Sequence, residues 1–266
     1  MDLRQDLAFA LMPAVREAAR EAGQIACSYF RRGGKTTARV WSKHGGSPVT
    51  EADVAVDSFL KVRLIEALPD AAWLSEETTD DPARLCAPRL WIVDPIDGTR
   101  AFLSGHPDWS IAIALLADGE PVLGIVHAPA HGLLYEACRG GGAFRDSAAI
   151  SASARTELAG ARVAGPKPLI DRLQRTAGPL HAVERIPSLA LRLVRVAEGA
   201  VDLGLVSPNS RDWDLAAADV ILAEAGGRLS TFAGARPRYN RPEPIHGELI
   251  AAPAGLHPRL IEAMTD

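Results

Sequence analysis

The chain has 266 residues, 47% of them hydrophobic, and a formal net charge of −4. That is enough chain for a substantial core in one large or two smaller domains, and the slight negative charge supplies no basic field for polymeric nucleic acid or an anionic membrane. Cys27, Cys86 and Cys138 are widely spaced, odd in number and outside any C-x-x-C pattern, which excludes a disulfide framework or a structural zinc and reads as buried thiols. The N-terminal stretch lacks an apolar signal-like core and no window approaches about eighteen apolar residues, so no membrane partner is expected and a cytoplasmic location fits best.

Leu7, Leu11, Val15, Ala18, Ala22 and Ile25 recur at helical spacing and predict a long amphipathic helix ending near Phe30, before Gly33-Gly34. Arg39 to Trp41 reads as a short strand and residues 42–48 as a loop. Thr50 is placed as the N-cap of a helix with apolar positions Val54, Val56, Phe59, Leu60 and Leu64, closed by Pro69; Asp53 then lies in its first turn. Ala71 to Leu74 and Leu90 to Val93 are strand candidates, and both stop at acids, Glu76-Glu77 and Asp94. Ile111 to Leu116 and Val122 to His127, joined by Asp118-Gly119, read as a hairpin that Leu133 to Ala137 and Ala143 to Arg145 extend.

From about Ala161 the pattern alternates. Strands are expected at Ala161 to Ala164, Ala182 to Ile186, Val201 to Val206 and Leu249 to Ala252, and helices at Leu169 to Arg175, Ser188 to Glu198, Trp213 to Ala225 and Leu256 to Met264. The expected division is residues 1–152, an α+β part with an antiparallel sheet and most of the acids, and residues 153–266, an α/β part bearing Asp214 and the specificity elements.

The chemistry concentrates in Trp91-Ile-Val-Asp-Pro-Ile-Asp-Gly-Thr99. Pro95 after Asp94 suggests a four-residue turn in which the Asp94 and Asp97 carboxylates converge. Were Glu76, Asp94, Asp97 and Asp214 to meet, each like-charge pair at about 4 Å would cost roughly 4 kcal/mol at an effective dielectric near 20; such a cluster calls for hard cations, Mg²⁺ before Ca²⁺ or Mn²⁺. Thr99 opens a helical turn after Gly98, so the amides there suit a phosphate, and its hydroxyl suits the orientation of a water whose proton a carboxylate such as Asp53 receives.

These residues resemble the inositol monophosphatase superfamily of Mg²⁺-dependent phosphomonoesterases. The resemblance rests on Pro48-Val-Thr-Glu-Ala-Asp53, Leu74-Ser-Glu-Glu77, the 91–99 stretch, Trp213-Asp-Leu-Ala-Ala217 and Glu224-Ala-Gly-Gly227, and spans nearly the whole chain. It implies an α+β fold, the layered αβαβα sandwich, and often a homodimer. It also implies two or three Mg²⁺: one on Glu76, Asp94 and the Ile96 carbonyl, one on Asp94, Asp97 and Asp214, and a third near Glu76. Asp53 and Thr99, with Glu76, would activate the water, and Gly98 and Thr99 would hold the phosphate.

Three features then point to the substrate, a small-molecule phosphate ester. Arg100-Ala-Phe102 is similar to the Lys-x-Phe of bacterial 3′(2′),5′-bisphosphate nucleotidases. Ser207 stands seven residues before Asp214, where inositol monophosphatases carry a glutamate. Ser188-Leu-Ala-Leu-Arg192 resembles a nucleotidase segment, with Arg192 in the place of a lysine that would meet a second phosphate. Adenosine 3′,5′-bisphosphate is the expected substrate. Inositol-1-phosphate and histidinol phosphate, the latter through Ser-Gly-His106-Pro, are the alternatives, together with a catalytically silent metal-binding scaffold. Lys43 resembles a family lysine near the site, and Lys167, in Ala164-Gly-Pro-Lys167, stands where many relatives have a serine nearby.

Overall fold

The structure, a computed structural model, describes residues 3–42 and 48–265; Lys43 and most of the expected 42–48 loop lie outside them. The first layer is a helical pair, α1 (Leu3–Tyr29) and α2 (Glu51–Ala67). Between them a two-stranded ribbon, β1 (Val40–Ser42) and β2 (Pro48–Thr50), pairs antiparallel. Pro13 lies inside α1 on its exposed side, where the hydrogen bond it removes costs least packing. Thr50 caps α2 as expected, accepting from the amides of Ala52 and Asp53, while Asp53 Oδ2 accepts from the Thr50 amide at 2.8 Å.

The second layer is a seven-stranded sheet: β3 (Ala72–Ser75), β4 (Arg89–Asp97), β5 (Ser110–Ala117), β6 (Glu120–Ala128), β7 (Leu133–Cys138), β8 (Ala143–Arg145) and β9 (Ala148–Ile150), neighbours in that order. β3 and β4 are parallel and the rest form an antiparallel meander. Asp118 and Gly119, both with positive φ, close the β5–β6 hairpin as the sequence predicted. Every residue of β5 is buried, because helices cover both faces of the sheet.

The third layer holds α5 (Leu189–Ala197) and α6 (Asp212–Glu224); the short α3 (Thr99–Ser104) follows β4, and α4 (Lys167–Ala177) and α7 (His257–Thr265) form the outermost layer. The fourth layer is a five-stranded sheet in the order β11 (His181–Ala182), β10 (Arg162–Ala164), β12 (Leu203–Val206), β16 (Leu249–Pro253), β14 (Gly227–Thr231). β13 (Ser210–Arg211) and β15 (Ile245–His246) make a small antiparallel pair at the start of α6. The fold is therefore the expected α+β sandwich in five αβαβα layers.

Side-chain alternation along the strands separates the three cores. Trp91, Val93, Ile111 and Ile113 pack under α1 and α2. Ile92, Leu90, Ala112 and Ala114 face α5, α6 and the inner face of the second sheet. Val163, Leu203, Leu205 and Ile250 face α4 and α7.

Four expectations need correction. The strand predicted to stop at Val93 runs on to Asp97. The strand expected over Ala182 to Ile186 is only His181–Ala182. Val54 is exposed on α2 rather than part of its apolar stripe. Of the three thiols only Cys138 is buried, Cys27 and Cys86 being exposed. The β14 strand, hidden behind the Gly226-Gly227 helix stop, was not foreseen.

α6 lies close enough to the first sheet that a Cβ at Gly124 would run into the Ala217 carbonyl oxygen. Gly124→Ala should therefore lower the urea midpoint, by about 2 kcal/mol of stability. Gly247→Ala, where nothing lies within 4 Å, should stay within about 0.5 kcal/mol of the parent.

Candidate active site

The site begins with an irregularity in β4. Asp94 pairs with Ala112 and Asp97 with Ser110, three steps on one strand against two on the other, so one extra residue bulges between them. The expected turn is thus a β-bulge. In a regular strand, residues three apart point to opposite faces; the bulge brings both carboxylates to one side. Pro95, which has no N–H to give a ladder, sits where the pairing is interrupted.

Asp214 arrives from the first turn of α6, where its Oδ2 accepts the Arg211 amide at 2.7 Å. One ligand oxygen each of Asp94, Asp97 and Asp214 lies within 4.8 Å of the others. The Glu76 amide donates to the Val93 carbonyl at 3.3 Å, placing Glu76 beside the end of β4. Buried Asp53 completes the group from α2. Burial pushes the Asp94 carboxyl well above the usual range, followed by the charges of Glu76, Asp97, Asp214 and Asp53. Burial likewise raises Asp214, reinforced by Asp97, and takes Asp97 to about 6 against the hydrogen bonds that favour its ionised form.

Among the described residues, the hydrogen-bond donors to these three carboxylates are backbone amides and one hydroxyl, not cationic side chains. A buried set of oxygen donors whose like charge is only partly offset, by Arg192 near Asp97 and Arg211 near Asp214, fits a hard divalent ion. Residues that could hold it are Asp94, Asp97 and Asp214, with Glu76 and the Ile96 carbonyl adjacent. Gly98 has φ 90°, and a Cβ there would lie 3.2 Å from the Asp108 carbonyl oxygen and 3.3 Å from the Ser188 amide nitrogen, so only glycine makes this corner without strain. Thr99 then opens α3, its hydroxyl donating to the Ile96 carbonyl at 3.1 Å.

Three supports were missed. Ser188 caps α5 and donates its hydroxyl to Asp97 Oδ2 at 2.6 Å; the Ala190 amide reaches the same oxygen at 2.7 Å, and Ser110 Oγ stands 2.9 Å from Ser188 Oγ. A serine directly before an apolar helix was the available signal. Asp57, one turn after Asp53, takes hydrogen bonds from the Ser75 hydroxyl and, at 2.7 Å, from the Thr78 hydroxyl. It thereby fixes the turn that carries Glu76. At the other side buried Asp212 accepts from His246 Nε2 and the Asn240 amide, each at 2.7 Å, and seats the start of α6.

The expected specificity residues fare differently. Arg192 is not a free cation: its two Nη atoms donate to the carbonyls of Leu205 (3.1 Å) and Ile186 (2.9 Å), and its Nε is buried without a partner. Burial lowers its pKa while the Asp97 charge raises it, so it ties α5 to β12 behind Asp97. Lys167 is exposed and pairs with Asp171 at 2.7 Å. Arg100 and Ser207 are exposed. His106 Nδ1 accepts the Asp108 amide at 3.2 Å, and the Asp108 carboxylate is held by His131 at 2.7 Å.

The model of the inositol monophosphatase family matches residues 8–266. The chain belongs to this family. It is 33% identical over 259 residues to a histidinol-phosphatase of Chlorobaculum parvum, covering 93% of this chain and 94% of that protein. It is 30% identical over 244 residues to the 3′(2′),5′-bisphosphate nucleotidase CysQ of Aggregatibacter actinomycetemcomitans, covering 88% of each. The solved suhB protein of Bartonella henselae superposes with a TM-score of 0.84 at 28% identity, over 97% of this chain and 99% of that one. As a member of a family of metal-dependent phosphatases, the protein is a phosphomonoesterase.

Two measurements probe the cluster. Because the folded Asp97 carboxyl titrates near 6, above its unfolded value of about 3.9, the metal-free fold binds an extra proton between those values. Its stability should fall as pH rises from about 4 to about 6. Below about 6 protons compete with the cation, so Mg²⁺ affinity by calorimetry should drop between pH 7 and pH 5. Ser188→Ala should weaken that affinity about tenfold with little change in far-UV circular dichroism; unchanged affinity would leave Ser188 a simple helix cap.

Proposed function

We propose that this phosphatase uses Mg²⁺ to hydrolyse a small-molecule phosphate monoester, with adenosine 3′,5′-bisphosphate, converted to AMP and phosphate, as its substrate. The convergence of Asp94, Asp97 and Asp214 within 4.8 Å at the end of a buried strand carries the reading of the reaction. Glu76, Asp94 and the Ile96 carbonyl would hold one ion and Asp94, Asp97 and Asp214 another, with a third near Glu76. When bound, the ions neutralise these acids, polarise phosphoryl oxygens and lower the pKa of a water.

The chain's own groups do the positioning. The amides of Gly98 and Thr99 at the start of α3 hold the phosphoryl group, and the Thr99 hydroxyl orients the attacking water while Asp53 receives its proton. Water oxygen adds to phosphorus in line as the ester P–O bond breaks, and the departing alkoxide takes up a proton.

Arg100 and Ser207 support a second phosphate on the substrate. Arg100 is an exposed cation next to the phosphate-holding Thr99, and Ser207 puts a neutral hydroxyl where a glutamate would repel an anion. A second reading, histidinol phosphate, is favoured by the 33% identity to a histidinol-phosphatase over 93% of the chain. No helix among the described residues is long and apolar enough to cross a membrane. A cytoplasmic homodimer is part of the same proposal and is carried by the resemblance alone.

Phosphate release from adenosine 3′,5′-bisphosphate, histidinol phosphate and inositol-1-phosphate, with and without Mg²⁺, separates these readings. Adenosine bisphosphate should give the highest kcat/KM, and Arg100→Ala should lower that value more than the values for the monophosphates. Asp94→Asn should cost about 10³-fold in kcat on every substrate, because several kcal/mol of transition-state stabilisation go with the ligand, while circular dichroism stays that of the folded protein.

A further inference from the structure

The helix that carries Asp214 in its first turn lines a second cavity with its far half. This cavity, of about 460 Å³, lies between the end of α6, β14 and the segment 234–239, away from the acid cluster. Its size is that of a small-molecule site.

Its lining carries four arginines, Arg139 among them, against three carboxylates. Each carboxylate on its wall is already engaged: Glu120 with Arg139 at 3.0 Å, Glu224 with the amides of Gly140 and Gly142 at 2.9 Å each, and Asp219 with the Tyr239 hydroxyl at 2.9 Å. Arg228, Arg236 and Arg238 line the same cavity, and among the described residues none of them lies within 4.0 Å of a carboxylate oxygen. Three exposed arginines thus line one concavity in a chain whose net charge is −4. Nothing in the reaction described above uses them.

We propose that this cavity binds a small polyanion bearing at least two phosphate charges, gripped by Arg228, Arg236 and Arg238. Guanidinium forks match phosphate oxygens bidentately and keep their charge at any physiological pH. The acids of the wall are held by other partners, Glu224 by the β7–β8 turn and Asp219 by Tyr239, which leaves the three arginines without an ion pair in the cavity among the described residues. Electrostatics agree, since the Arg236 charge is among the influences that hold Asp219 down against its burial, which still takes it to about 6, and the Arg228 charge adds to the burial that lowers His257. Both arginines therefore lie near the buried wall.

The test is calorimetric titration of the full, EDTA-treated chain with inorganic pyrophosphate. Without metal the Asp94 cluster repels this probe, so its heat reports a different site. One saturable site is expected, weakened about tenfold or more by Arg228→Ala and by Arg236→Ala and unchanged by Arg100→Ala, with thermal melting confirming that each variant is folded. Lack of saturation up to about 5 mM probe, retention of affinity in both cavity variants, or an equal loss in Arg100→Ala would overturn the proposal. None of these outcomes depends on which ester the enzyme hydrolyses.

Discussion

The structure is organised around a repulsion. Asp94, Asp97 and Asp214 are brought within 4.8 Å of one another, with Glu76 and Asp53 adding charge to Asp94, in surroundings where each close pair opposes folding by roughly 4 kcal/mol at an effective dielectric near 20. Such a cluster persists only if the backbone beneath it is over-determined. The four aspartates are accordingly tied to rigid framework: Asp94 to the Ile96 amide, Asp97 to the cap of α5, Asp214 to the Arg211 amide, Asp53 to the cap of α2. Hydrogen bonds from amides fix direction without cancelling charge, which leaves the cluster in need of a cation.

The five layers supply that rigidity. β4 lies inside a sheet covered on both faces, and α6 is clamped between two sheets by approaches that tolerate only glycine, Gly124 among them. The acids therefore come from elements that cannot shift independently: a strand of the first sheet, a helix of the middle layer and the cap of α2 in the outer layer. Asp57 and Asp212 extend the scheme outward by fixing the turn of Glu76 and the start of α6. A cation binding to the cluster acts on a site whose shape is already set.

Much of this was legible in the residues, and what was not has identifiable causes. Helix faces, the Asp118-Gly119 hairpin, the Thr50 cap and the acid-ended strands follow from local periodicity and turn chemistry, which one stretch of chain determines alone. The bulge in β4 does not: Asp-Pro-x-Asp-Gly has the composition of a turn, and only pairing with Ser110 and Ala112 shows that the strand continues through the proline. The shrinkage of the strand expected over Ala182 to Ile186 has the same origin, since a strand ends where its partner does. Ser188 was read as the start of a helix but not as a support for Asp97, which is 91 residues away.

Arg192 shows why specificity is harder to read than reaction. Carboxylates that must converge leave few roles open, because burying them anywhere else would be too costly; residue type nearly determines use. An arginine has five donors and a long stem, and its use depends on which acceptors the fold presents. Here the carbonyls of Ile186 and Leu205 take both Nη atoms, and the positive charge steadies Asp97 from behind instead of reaching toward a substrate. The same reasoning in reverse applies to Arg228, Arg236 and Arg238, whose neighbouring acids are already spoken for. Cations with no internal acceptor are the ones left to meet a ligand, so the partner, more than the arginine, decides its function.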